Sequence, residues 1–185
     1  MALQASAGLL YEIVLVDTNF ADGAQRFEFV DALGSAQCRV RTLHMGGMTP
    51  DLGCEGGATV GKMLAANTSV TNIELQYSGL GDVGGTALAK GLKVNTALTS
   101  INLDNNALGE AGGTALAAAL KVNTTLTYIH LGDNALGAVA CTALAAALKS
   151  NTTLTDIVEF DGNAIPDATT QAIRAAVAKN KEAAK

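Results

Sequence analysis

The sequence predicts an α/β fold: an open, right-handed solenoid of about six units, with parallel strands on its concave face and helices on its convex face. Three observations predict it. Residues 95–122 and 123–150 are copies of one 28-residue segment, identical at 18 of 28 positions. Within each copy an apolar period of two gives way to a period of four. The apolar residues recur at fixed offsets, as Leu98, Ile101, Leu103, Leu108 and again as Leu126, Ile129, Leu131, Leu136, with Asn106 and Asn134 held in one place between them.

Each unit reads as strand, turn, helix. Ser100 to Leu103 alternate polar and apolar, the pattern of a half-buried strand with Ile101 and Leu103 inward. After Leu108, Leu116 and Leu120 are one helical turn apart in an alanine-rich run. Neither half can bury its apolar side alone, so units must stack and share one core. Successive strands then pair in parallel through a helical return, in the right-handed sense of such crossovers. Asn106 and Asn134 sit where the chain leaves the strand, where a buried amide can bond backbone groups that the turn leaves unpaired.

The units start near 10, 40, 70, 98, 126 and 154, preceded by an N-terminal extension over 1–9. The solenoid domain spans 10–178, and residues 179–185 read as a polar tail that frays into solvent. Unit one has Leu10, Ile13, Leu15 and Phe20, with Thr18 in the asparagine place and a helix over 24–33. Unit two has Val40, Leu43 and Met45, with Met48 in the asparagine place and Val60 and Leu64 in its helix. Unit three has Val70, Ile73, Leu75, Ser78 and Leu80. In unit six the interval from Leu154 to Asn163 is one residue longer than from Leu98 to Asn106, which predicts a bulge around Ile157-Val158. Strands should centre on Ile13, Leu43, Ile73, Ile101, Ile129 and Val158.

The 28-residue unit resembles the ribonuclease-inhibitor-like class of leucine-rich repeats. It is similar to repeats of NOD-like receptors, tropomodulins and Ran GTPase-activating proteins. The resemblance covers residues 10–178 and is strongest from 67 to 156. It implies a protein-binding role through the concave face or its rims. The Ran GTPase-activating proteins would imply an arginine on a strand-to-helix loop. Here those loops carry Gly81-Asp82, Gly109-Glu110, Gly137-Ala138 and Pro166-Asp167, while Arg41 lies beside the second strand and Arg26 in the first helix. That activity is not expected.

Composition bounds the partner. The net charge is -5, which argues against nucleic acid. Residues 1–16 lack a basic start and are interrupted by Tyr11 and Glu12, so they make a poor signal peptide. No apolar run reaches membrane-spanning length. Cys38, Cys54 and Cys141 share no metal or disulfide spacing and read as core or near-core thiols of a reducing, intracellular and cytoplasmic compartment. The Asn67, Asn123 and Asn151 sequons recur with the helix-end turn and read as structural. His44 and His130 occupy one outward place three units apart, too far to share a metal. No phosphate loop or nucleophile–base pair is evident, so the expectation is no enzyme, no cofactor, no metal and no small-molecule substrate.

The candidate site is the concave face. Its outward places hold seven acids among 24 residues and no base. Glu12, Asp17, Glu74, Asp104, Asp133, Glu159 and Asp161 supply the charge, with Tyr77, Tyr128 and His130 beside them. Such a face attracts a protein with a basic surface, and tyrosines suit anchoring. A second surface is the N-terminal edge, where Val14, Val16, Phe27 and Phe29 are apolar with no strand predicted beyond them. That edge suits a subunit of a larger assembly, or a fragment of a longer NOD-like-receptor-type protein. Lys93, Lys121 and Lys149 form a column at the helix C-termini, where they complement the helix dipoles.

Overall fold

The computed structural model describes residues 12–14, 28, 30–34, 39–47, 51–158 and 162–185 of the 185-residue chain. Six strands lie side by side in chain order: β1 Glu12–Val14, β2 Thr42–His44, β3 Asn72–Glu74, β4 Ser100–Asn102, β5 Tyr128–His130 and β6 Asp156–Val158. All five pairings are parallel. The helices between them are α1 Gly53–Ala66, α2 Gly81–Leu92, α3 Gly109–Leu120 and α4 Gly137–Leu148, with α5 Asp167–Ala183 last. Residues 28 and 30–32 are helical as well.

The middle residue of each strand points into the core: Ile13, Leu43, Ile73, Ile101 and Ile129 are buried and stacked in register. Leucines of the helices close over them from the convex side, including Leu64, Leu88, Leu116 and Leu144. The strands are short, but the pairing runs on past them. Met45, Leu75 and Leu103 donate to the carbonyls of Glu74, Asn102 and His130. The first helical glycines do the same one turn later, Gly81 to Asn106 at 2.9 Å and Gly109 to Asn134 at 3.0 Å. Reaching that geometry puts Gly53, Gly81, Gly109 and Gly137 at φ between +59° and +71°, which glycine adopts without a Cβ penalty.

Two asparagine ladders tie unit to unit. At the strand exits, Asn106 Nδ2 donates to the Leu75, Leu103 and Asp104 carbonyls, and its Oδ1 accepts from Ser78 N–H. Asn134 and Asn163 repeat this reach onto the unit before each of them. At the helix ends, Asn67, Asn95, Asn123, Asn151 and Asn180 each bond carbonyls of the preceding unit. All are buried with their amide nitrogens engaged. The sequon asparagines Asn67, Asn123 and Asn151 are therefore closed to modification in the folded chain.

Three expectations are corrected. Unit six has no bulge within β6: Ile157 pairs with Ile129, so the strand centres on Ile157 and the extra residue falls after Val158. Residues 179–185 do not form a frayed tail, because α5 runs to Ala183 and Asn180, 5% exposed, bonds Asn151 O and Leu154 O. Cys54 is exposed rather than near the core, whereas Cys141 is buried and its burial pushes the thiol up to about 11. Cys38, Thr18 and Met48 lie outside the described residues.

Candidate functional site: the concave face

Parallel register converts the repeat into columns of side chains. The first residue of each strand gives Glu12, Thr42, Asn72, Ser100, Tyr128 and Asp156. The third gives Val14, His44, Glu74, Asn102, His130 and Val158. Beyond the strands the face continues through Gln76, Tyr77, Asp104, Asn105 and Asp133. Asp156 enters this face where the bulge had placed Ile157. Asp17, Glu159 and Asp161 lie outside the described residues, as do Val16, Phe27 and Phe29 of the N-terminal edge. Of that edge, Val14 is described and is 54% exposed on the outermost described strand.

The acids are not equivalent. His44 Nε2 lies 2.9 Å from Glu12 Oε1, one strand back. His130 Nδ1 lies 3.4 Å from Asp104 Oδ1, again one strand back. Lys181 of α5 lies 3.4 Å from Asp156 Oδ2. Both histidines thus sit beside an acid of the neighbouring unit. Among the described residues Glu74 and Asp133 form no ion pair. Around Glu74 the face also holds two buried acceptors, Asn72 Oδ1 and Gln76 Oε1, with no hydrogen-bond partner among the described residues. The described concave face therefore carries two carboxylates, Glu74 and Asp133, without a counter-ion.

Tyr77 was legible as an aromatic in the stripe but not as a strained one. It is 55% exposed and held at φ +55°. The same place in neighbouring units is Gly47, Asn105, Asp133 and Gly162, all left-handed. Glycine, asparagine and aspartate tolerate that region, and a bulky side chain there costs about 1–2 kcal/mol. The repeated Gly/Asn/Asp identity was the signal for the conformation. The backbone bond from Tyr77 N–H to Asp104 O at 3.0 Å holds it. The result is an exposed ring presented from a fixed backbone. Tyr128 is half-buried on β5.

Among the described residues no group of three or more His, Cys, Asp or Glu is placed to hold a metal ion. No described helix is long and apolar enough to cross a membrane.

The Leucine Rich repeat family matches the chain three times, over 66–89, 94–117 and 122–145. Each match runs from the turn at a helix end through a strand and into the next helix. No curated protein matches the sequence. Among solved structures, "Leiomodin-1 Actin-Binding Site 2 (ABS2)" superposes with a TM-score of 0.71 at 22% identity, covering 90% of this chain and 93% of that one. The tropomodulin C-terminal domain of Caenorhabditis elegans superposes with a TM-score of 0.71 at 11% identity, covering 89% of this chain and 96% of that one. At these identities the likeness is one of fold. The repeat matches and the six-strand parallel solenoid give the chain a leucine-rich repeat fold, similar to that of these structural neighbours.

Proposed function

We propose that the chain is a non-enzymatic protein-interaction module whose concave face binds a partner with a basic, donor-rich surface. One observation carries the reading: Glu74 and Asp133 form no ion pair among the described residues on the face that exposes Tyr77, and no lysine or arginine stands at its described outward places. Lysine and arginine side chains fit such a surface, and opposite charge raises the rate of encounter. The tyrosine supplies contact area at low entropic cost. The likeness to an actin-binding site of leiomodin-1 makes actin the first protein to test.

The test is titration calorimetry against actin, and against partners recovered by affinity capture, across a salt series. Glu74→Gln with Asp133→Asn should weaken binding roughly tenfold and flatten its salt dependence. Unchanged affinity and slope would move the binding site off this face. Tyr77→Gly separates anchoring from strain: it removes the ring while relieving the backbone, so affinity should fall as stability rises.

A second reading rests on Val14, an exposed apolar residue on the outermost described strand. It places a docking surface at the N-terminal edge and makes the chain a subunit of a larger assembly. Val14→Lys would then release the chain from its native complex, while the concave double variant would not.

A further inference from the structure

The helices all run the same way, because equivalent residues pack on one another: Asn95 reaches Leu64 and Asn67, and Gly84 faces Gly57. The solenoid therefore has two lateral rims, one at the helix starts and one at the helix ends. Charge is segregated between them. Residues 51–58, 75–86, 103–114, 131–142 and 162–170 contain Asp51, Glu55, Asp82, Asp104, Glu110, Asp133 and Asp167, and no lysine or arginine. Residues 65–71, 93–99, 121–127 and 149–155 contain Lys93, Lys121 and Lys149, and no acid. Arg39 and Arg41 extend the basic rim at β2.

Helix dipoles account for the signs of these charges. They do not account for the valines. Among the described residues, four of the six exposed large apolar side chains stand on the rims: Val83 at 69% and Val139 at 57% on the acidic one, Val94 at 60% and Val122 at 50% on the basic one. On the acidic rim the side chains lean along the column, with Asp51 against Gly79, Asp82 against Gly109 and Glu110 against Gly137. On the basic rim each valine follows a lysine at the helix end. Both rims repeat every 28 residues, so acid and lysine columns share one pitch.

We propose that the chain self-associates rim to rim, the lysine–valine rim of one copy lying along the acid–valine rim of the next. A second copy is the occupant because it alone carries both the opposite charge and the same pitch by construction. The contact is heterologous, so it leaves one rim of each sign free and grows open-ended rather than closing as a dimer. Lys93 and Lys121 meet Asp82 and Glu110, and the valines fill the spaces between the charged columns.

Sedimentation equilibrium of the full chain at low salt tests this. The weight-average mass should rise steadily with concentration above the 18.7 kDa monomer and return to it at high salt. Lys93→Glu with Lys121→Glu should be monomeric, as should Asp82→Lys with Glu110→Lys, and a mixture of the two variants should associate again. The neutral pair Lys93→Gln with Lys121→Gln repeats the first arm with a milder change, and circular dichroism checks that each variant is folded. A wild-type mass fixed at the monomer value, or either reversed variant associating alone, overturns the proposal. Capture by vesicles of anionic lipid without any rise in mass would assign the basic rim to a membrane surface and also overturn it. The concave variant Glu74→Gln, which alters neither rim, should associate like wild type, and its failure to do so would place the contact in the concavity instead.

Discussion

Two helix interfaces of the same solenoid are built differently. Between α1 and α2 backbone meets backbone: a Cβ added at Gly57 would lie 2.5 Å from Gly84 Cα, and one at Gly91 would run into the Gly61 carbonyl oxygen. Between α3 and α4 the places equivalent to Gly61 and Gly91 are Ala117, Ala119, Ala145 and Ala147, and methyl groups line the contact. Glycine costs a helix about 1 kcal/mol relative to alanine, so α1 and α2 are weaker helices by themselves. They gain a closer approach in exchange. One repeat pattern thus supports two ways of joining neighbours. The leucine positions set the fold, and the small positions set the spacing.

The largest expected effect lies in what both interfaces share. Leu116 is fully buried in α3, and Leu116→Ala should cost roughly 2–5 kcal/mol. Because neighbouring units share their stability, the loss should appear as a lower midpoint of one global transition in chemical denaturation. A midpoint left in place would contradict the burial of this helix face.

Smaller effects separate the two interfaces. Gly91 and Ala119 occupy equivalent places, yet exchanging them should hurt in both directions. Gly91→Ala gains helix propensity but drives a methyl into backbone, for a net loss of about 1–2 kcal/mol. Ala119→Gly should lose about 1 kcal/mol with no clash at all. A rise in the denaturation midpoint for Gly91→Ala would mean that α1 and α2 have room to spare.

The smallest effect sits in the loops. Ala107 and Ala135 are held at φ +52°, whereas the same place in unit three is Gly79 at φ +60°. Ala107→Gly relieves a left-handed residue and loosens the unfolded chain, for a net gain of about 0.5 kcal/mol. Gly79→Ala should run the other way, and thermal melts of the two variants would compare the same turn in two units.

The strand centres from Ile13 to Ile129 were legible because period-two alternation and the 28–30-residue spacing agree there. Unit six misled because counting from Leu154 to Asn163 reveals an extra residue without saying where it goes; register with β5 decides that. Asn180 was hidden by the polar composition around it. Its spacing was nonetheless visible: Asn67, Asn95, Asn123 and Asn151 each follow an apolar helix residue by three, and Asn180 follows Val177 by three. At the candidate site the strand places of Glu12 and Glu74 could be read from the period alone, whereas Asp17, Glu159 and Asp161 lie outside the described residues. The pairing of His44 with Glu12 and of His130 with Asp104 could not, because it depends on side chains leaning across to the next strand.

The asparagine ladders carry a consequence for how such a chain can change length. Each amide reaches backward, so a unit brings the donors that satisfy the carbonyls of the unit before it, and leaves its own for the one after. Copying 28 residues in frame therefore inserts a unit that completes its predecessor and is completed by its successor, with no buried polar group orphaned at either seam. Excision of one copy is equally seamless. The 18 of 28 positions shared by residues 95–122 and 123–150 fit such a copying step. After β6 a different element plays the asparagine's part, as Asn180 does from within α5.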